Sequence, residues 1–197
     1  MQIIMGLIQI AASILTALLV GALTRGTTRI FFLLTFSVLG IYWFQPVIPL
    51  RSFDFWIPSL SLAFVILTWF ITSQAGAWKS RQNFIGLFII IALVTLIDLS
   101  RYILPDPFIT ATTPPQFIQY LTFIVISAGI TLLFSQFSQQ HSLSTVILLF
   151  ITILLILKSP ILSVQTSIFL RTLANRPIET ASALDLRWLG FSYIAFR

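Results

Sequence analysis

The sequence predicts an all-α fold: a multi-pass transmembrane helical bundle with about six full spans, a short interfacial or re-entrant helix, and an incomplete C-terminal helix. Three observations predict it. Apolar runs recur at the length, about 20 residues, that crosses a hydrocarbon core of about 30 Å at 1.5 Å rise per residue. The chain is 58% hydrophobic and only 8% charged, with a mean hydropathy of +1.03, which lies in the membrane range. Finally, no gap between runs exceeds about 15 residues, too little for an independent soluble core.

The basic excess has a membrane explanation. Lys and Arg number 11 against 5 acids, a formal charge of +6. These residues are scattered one or two per gap, as basic residues flank membrane helices, and are not gathered into a patch that would bind nucleic acid. With no cysteine, disulfides, thiolate metal sites and a Cys nucleophile are excluded. There is no Gly-rich phosphate loop, and no cofactor is expected.

The first span is Ile3 to Leu23, uncharged throughout. It lacks a basic n-region and exceeds the usual h-region of about 7 to 15 residues, so it reads as an uncleaved helix. A polar turn, Thr24 to Arg29, returns the chain into a second span, Ile30 to Leu50. Tyr42 and Trp43 near its end suit the interfacial aromatic belt, and Pro46 and Pro49 loosen it. Arg51 to Phe55 is a tight connection to the third span, Trp56 to Ser73. The basic loop Gln74 to Asn83 precedes the fourth, Phe84 to Leu104.

That fourth span carries Asp98 and Arg101, three apart and so on one helix face. The pair is either a polar contact lining a site or a salt bridge where the helix leaves the lipid. Its closeness to Pro105 favours the second. Pro105 to Gln116 is proline-rich and predicts an irregular loop. The fifth span is Phe117 to Phe134. His141, the single histidine, falls in the following polar turn and reads as a solvated loop residue. Leu143 to Leu157 is short for a sixth span but crosses if continued to Leu162 with a kink at Pro160. Leu162 to Leu170 is too polar and too short to cross and predicts the interfacial or re-entrant helix.

Residues 1–170 thus form a helix bundle, 171–183 a polar connector, and 184–197 a new apolar segment, LDLRWLGFSYIAFR. Ser182 and Asp185 fit a capping box, which starts a helix near Ala183, and Arg187 with Trp188 reads as an interface anchor. Intramembrane catalysis needs ionisable groups inside the bundle, and only Asp98 is a candidate. Asp54, Asp106 and Glu179 fall in loops and Asp185 at a helix start, so paired carboxylates and a metal cluster are both missing from the pattern. Ser and Thr within the spans are expected to bond to their own helix carbonyls or across helices. A serine nucleophile at Gly190-Phe191-Ser192 would need a histidine on a neighbouring helix, which His141 does not supply.

The segment from Trp188 to Arg197, WLGFSYIAFR, resembles one in bacterial members of the membrane-bound O-acyltransferase family. The residues that carry the likeness are Leu189, Gly190, Ser192, Tyr193 and Phe196. The resemblance implies a bacterial plasma-membrane protein in which a set of N-terminal helices leads into an acyltransferase core. In that core a membrane-embedded histidine, well downstream of the segment, transfers an acyl group, often acetyl, to a hydroxyl of a polysaccharide, lipid or protein. It also implies that 184–197 is a truncated start of that core, without catalytic residues, and that the partners are the bilayer, an acyl donor and a missing C-terminal half. The alternative is a small non-enzymatic membrane protein, a transporter subunit or assembly factor.

For orientation, the gaps after spans one and three hold Arg25, Arg29, Lys79 and Arg81, and those after two and four hold Arg51 and Arg101. The positive-inside rule then puts the N-terminus outside.

Overall fold

A computed structural model of the chain describes residues 2–45, 48, 50, 52–73, 76–103, 109–110, 112–137, 139–173, 176–186, 188 and 191. Among these it is all helical. The elements are α1 (Gln2–Leu23), α2 (Gly26–Trp43), α3 (Phe53–Thr72), α4 (Arg81–Ile103), α5 (Phe117–Gln136), α6 (Gln139–Lys158) and α7 (Pro160–Leu173), with short 3₁₀ turns at Ala77–Lys79 and Ala183–Leu186. Five of them, α2 to α6, are long and apolar enough to cross a membrane. α1 is helical over the whole predicted first span. The chain is an integral, multi-pass membrane protein.

Helix α3 is the axle. Of its membrane-length window 44% is buried, against 6% for α5 and 11% for α2. It packs on α2, α5 and α6, while α1 lies against α2, and α4 packs on α2 and α5. The buried face of α3 holds Phe55, Ile57, Leu62, Leu67 and Ile71. The outer helices instead expose Leu18, Phe88, Val125, Leu148 and many similar side chains. In water such a surface would associate; in lipid it is the ordinary solvent-facing side.

Two clusters fill the bundle. Val38 and Tyr42 of α2, Phe55 and Leu62 of α3, Val94 and Ile97 of α4 and Tyr120 of α5 form the first. Leu67 and Ile71 of α3, Val146 and Phe150 of α6, and Phe191 form the second. Tyr42 is therefore a core residue, 1% exposed, with its hydroxyl 2.8 Å from Ser59 Oγ. The interfacial reading suits only Trp43, which is half exposed at the end of α2.

Several boundaries move. α2 begins at Gly26, so the turn after α1 is reduced to Thr24 and Arg25, with Gly26 taking φ +61, a backbone state open to glycine at no steric cost. α2 then stops at Trp43, well short of Leu50; Pro46 and Pro49 lie outside the described residues. α3 starts at Phe53, in what the sequence suggested was a connection, and tolerates Pro58 inside it. Pro58 leaves the Asp54 carbonyl without its i+4 donor. α6 recruits the polar residues from Gln139 onward and reaches 20 residues by itself. His141 accordingly sits in the first turn of a helix, not in a loop. Pro160 opens α7 as its first residue, the position where a missing N–H costs nothing, so there is no kinked continuation of the sixth span.

α7 has 14 residues, about 21 Å at 1.5 Å per residue, too short to cross. Leu157 at the end of α6 and Leu170 near the end of α7 line the same cavity with Phe53 and Trp56. α7 thus lies at the end of the bundle where α6 finishes and α3 begins, as an interfacial helix. Arg101, Lys158, Arg171 and Arg176 gather toward that end, and Arg25, Arg29, Lys79 and Arg81 toward the other. The loop-charge bias for orientation is thereby evened out, because α7 does not carry the chain back across.

Candidate functional site

The end of the bundle at the start of α3 concentrates the buried polar groups. Asp54 is fully buried in the first turn of α3, not in a loop. Thr112 reaches it twice: its backbone N–H donates to Asp54 Oδ2 and its hydroxyl to Oδ1, both at 2.5 Å. The neighbouring Ser52 takes φ +63, rare for a residue with a side chain. Its N–H donates to Thr112 Oγ1 at 3.3 Å and its hydroxyl to the Thr113 carbonyl at 3.0 Å. The α4–α5 loop is therefore latched onto the N-terminus of α3, and those bonds hold Ser52 in its left-handed conformation.

Asp98 is also fully buried, and neither carboxylate oxygen has a hydrogen-bond partner among the described residues. The expected pair with Arg101 does not form: Arg101 Nη1 donates to the Pro114 carbonyl at 2.8 Å, and no ion pair joins the two side chains among the described residues. The loop carbonyl is the reason. It offers Arg101 an acceptor toward the bundle end, while Asp98 turns inward beside Ile97 and Val94.

The third buried carboxylate, Asp185, makes the one ion pair seen among the described residues. Arg171 Nε donates to Oδ2 at 2.5 Å and Nη2 to Oδ1 at 3.0 Å, a bidentate fork. Ser167 Oγ donates to Oδ2 at 2.5 Å. Arg171 Nη1 also reaches the Pro177 carbonyl and Thr180 Oγ1. Burial pushes the Asp185 carboxyl up, but the bonds from Arg171 and Ser167, the Arg171 charge and the Ser182 backbone outweigh it and hold the group below the usual carboxylate range. The bond to Asp185 raises Arg171 more than burial lowers it. The residues read as a polar connector are thus clasped: Arg171 belongs to α7, and Asp185, in a 3₁₀ turn that begins at Ala183, accepts from the Ser182 backbone as the cap pattern predicts and gives its remaining bonds to α7.

Beyond the clasp the chain re-enters the bundle. Trp188 Nε1 donates to Ser61 Oγ of α3 at 2.6 Å, and the indole stacks on Phe64, ring centroids 6.1 Å apart, and touches Phe191 at 4.6 Å. Phe191 is 1% exposed and meets Phe150 edge-on at 5.8 Å. Trp188 is a bundle residue and not an interface anchor. Leu189, Gly190, Ser192, Tyr193 and Phe196 lie outside the described residues, as do Arg187 and Asp106.

Three cavities run around Trp56 and Phe123. One of about 350 Å³ is polar, with Ser52, Arg101, Gln116, Gln119 and Arg176 in its wall. A second, of about 340 Å³, is apolar and shares Phe53 and Trp56 with the first; Leu157, Leu170, Leu186 and Trp188 complete it. A third, about 320 Å³, lies between α3, α4 and α5 and shares Phe123 with the second. Sequence reasoning missed Arg176, Gln116 and Gln119, since nothing local distinguishes them from ordinary loop residues. No cluster of three His, Cys, Asp or Glu side chains suited to a metal occurs among the described residues.

Comparison with known protein families, characterised proteins and solved structures finds no match to this chain.

Proposed function

We propose that this membrane bundle serves O-acyl transfer in a bacterial plasma membrane, as the N-terminal part of an acyltransferase of the membrane-bound O-acyltransferase type. The observation that supports the reading is the apolar cavity beside Trp188, in the segment that bears the family likeness, whose walls suit an acyl chain. In this reading the helices position the substrates, and the acyl-transferring histidine is supplied from outside residues 1–197. The test is genetic and chemical: deleting the gene in its host lowers the ester-linked acyl content of envelope polysaccharide or lipid, and a plasmid copy restores it. An unchanged ester content overturns the proposal.

The second reading is a non-enzymatic transporter subunit or assembly factor. It is favoured by the close packing of Trp188 and Phe191 against α3 and α6, which leaves that part of the ending without an uncovered apolar face. Unchanged acyl esters together with loss of a co-purifying membrane partner on Phe191→Asp would select it.

A further inference from the structure

We propose that the polar cavity at the start of α3 and α5 binds the phosphate head of an anionic glycerophospholipid, with one acyl chain lying in the apolar cavity across Trp56. This holds under either functional reading. Among the described residues, the cavity wall carries Arg101 and Arg176 and no acid. Among the described residues neither arginine is in an ion pair. Arg101 is braced by the Pro114 carbonyl through one nitrogen, which fixes the guanidinium at the wall with donors to spare.

The helix ends add to this. α3 and α5, each of 20 residues, begin at Phe53 and Phe117, beside the cavity. Their dipoles favour an anion. Of the nearby acids, Asp54 is turned onto Thr112 with both oxygens engaged, and Asp98, one turn before Arg101, is buried inside the bundle. Neither lines the cavity.

The apolar side decides the class of ligand. A free phosphate needs only the arginines, but here the polar cavity and the apolar one share Phe53 and Trp56 as a common wall. Head and chain sites sit in the order a lipid molecule needs, at the end of a membrane bundle where headgroups lie. Basic pockets between membrane helices recognise anionic headgroups by this chemistry.

The experiment is native mass spectrometry of the purified full chain after incubation with phosphatidylglycerol or phosphatidylcholine of identical acyl chains. Phosphatidylglycerol is expected to be retained about ten-fold over phosphatidylcholine, a difference of about 1.4 kcal/mol. Arg101→Gln with Arg176→Gln abolishes the preference. Arg25→Gln with Arg81→Gln, at the other end of the bundle, keeps it. If the first double variant does not fold, Arg176→Gln alone, at an exposed position, must still reduce it. Equal retention of the two lipids, or equal loss in both double variants, overturns the proposal. Displacement of phosphatidylglycerol by millimolar inorganic phosphate overturns the lipid and leaves a phosphate site.

Discussion

Trp188 donates its indole N–H to the hydroxyl of Ser61, 127 residues earlier in the chain. The bond joins the last described stretch to the middle of α3, the most buried helix, and the Ser61 hydroxyl simultaneously donates to the Ile57 carbonyl at 3.0 Å. A hydroxyl that donates within its own helix and accepts from a tryptophan is fully used.

Trp188→Ala is accordingly expected to destabilise the purified protein by about 3–5 kcal/mol, the usual loss for a large packed aromatic. Trp188→Phe keeps much of the stacking on Phe64 and loses mainly the hydrogen bond. Combined with Ser61→Ala in a double-mutant cycle, it should show a coupling of about 1 kcal/mol by thermal unfolding in detergent. A coupling of zero would remove the bond from the account.

The Arg171–Asp185 clasp predicts a pH dependence. Asp185 is held below its ordinary value in the folded protein, so its contribution is fully present above the unfolded carboxylate pKa of about 3.9 and is lost as pH falls through the lower folded value. Asp185→Asn should lower the melting temperature at neutral pH, on the order of 5 °C. The gap between wild type and variant should narrow below about pH 4. A constant gap down to about pH 2 would contradict the assignment.

Asp98 predicts the opposite sign. Among the described residues neither of its buried oxygens has a partner, and burying an unpaired polar group costs roughly 1–3 kcal/mol by protein mutational data. Asp98→Leu should therefore raise thermal stability. A fall would mean that the carboxyl holds a favourable partner in the membrane.

Thr112→Val strips one donor from Asp54 and the acceptor of the Ser52 N–H. About 1–3 kcal/mol of destabilisation is expected, together with faster proteolysis of the α4–α5 loop. Thr112→Ser, which keeps the hydroxyl, should be nearly silent in both assays.

The membrane class, the helical composition and the position of α7 as a non-crossing helix were readable from run length and charge alone. Boundaries were less so, because Gly26, Phe53 with Asp54, and Gln139 to His141 lie in the sequence like loop residues and yet extend helices by about a turn. Local pattern also hid the long-range partners. Asp54 resembles a loop acid until Thr112 is brought to it, and Trp188 resembles an interface anchor until α3 presents Ser61. Asp98 and Arg101 had the spacing of a pair, but the Pro114 carbonyl competes for the guanidinium, and spacing within one helix does not reveal a competitor from the next loop.

The hydroxyls on the helices suggest an order of assembly. Thr16, Thr68, Thr122, Thr131 and Thr152 each donate to the carbonyl four residues back. Each of these hydroxyls can therefore enter the bilayer already satisfied within its own helix, needing no partner from a neighbour. Among the bonds left for the second stage are Tyr42 with Ser59, Thr112 with Asp54, Tyr120 with Thr95, and Trp188 with Ser61. All but one of them converge on α3, so this helix acts as the template against which the others are sorted, and a chain lacking it would insert its remaining helices without a guide to their proper neighbours.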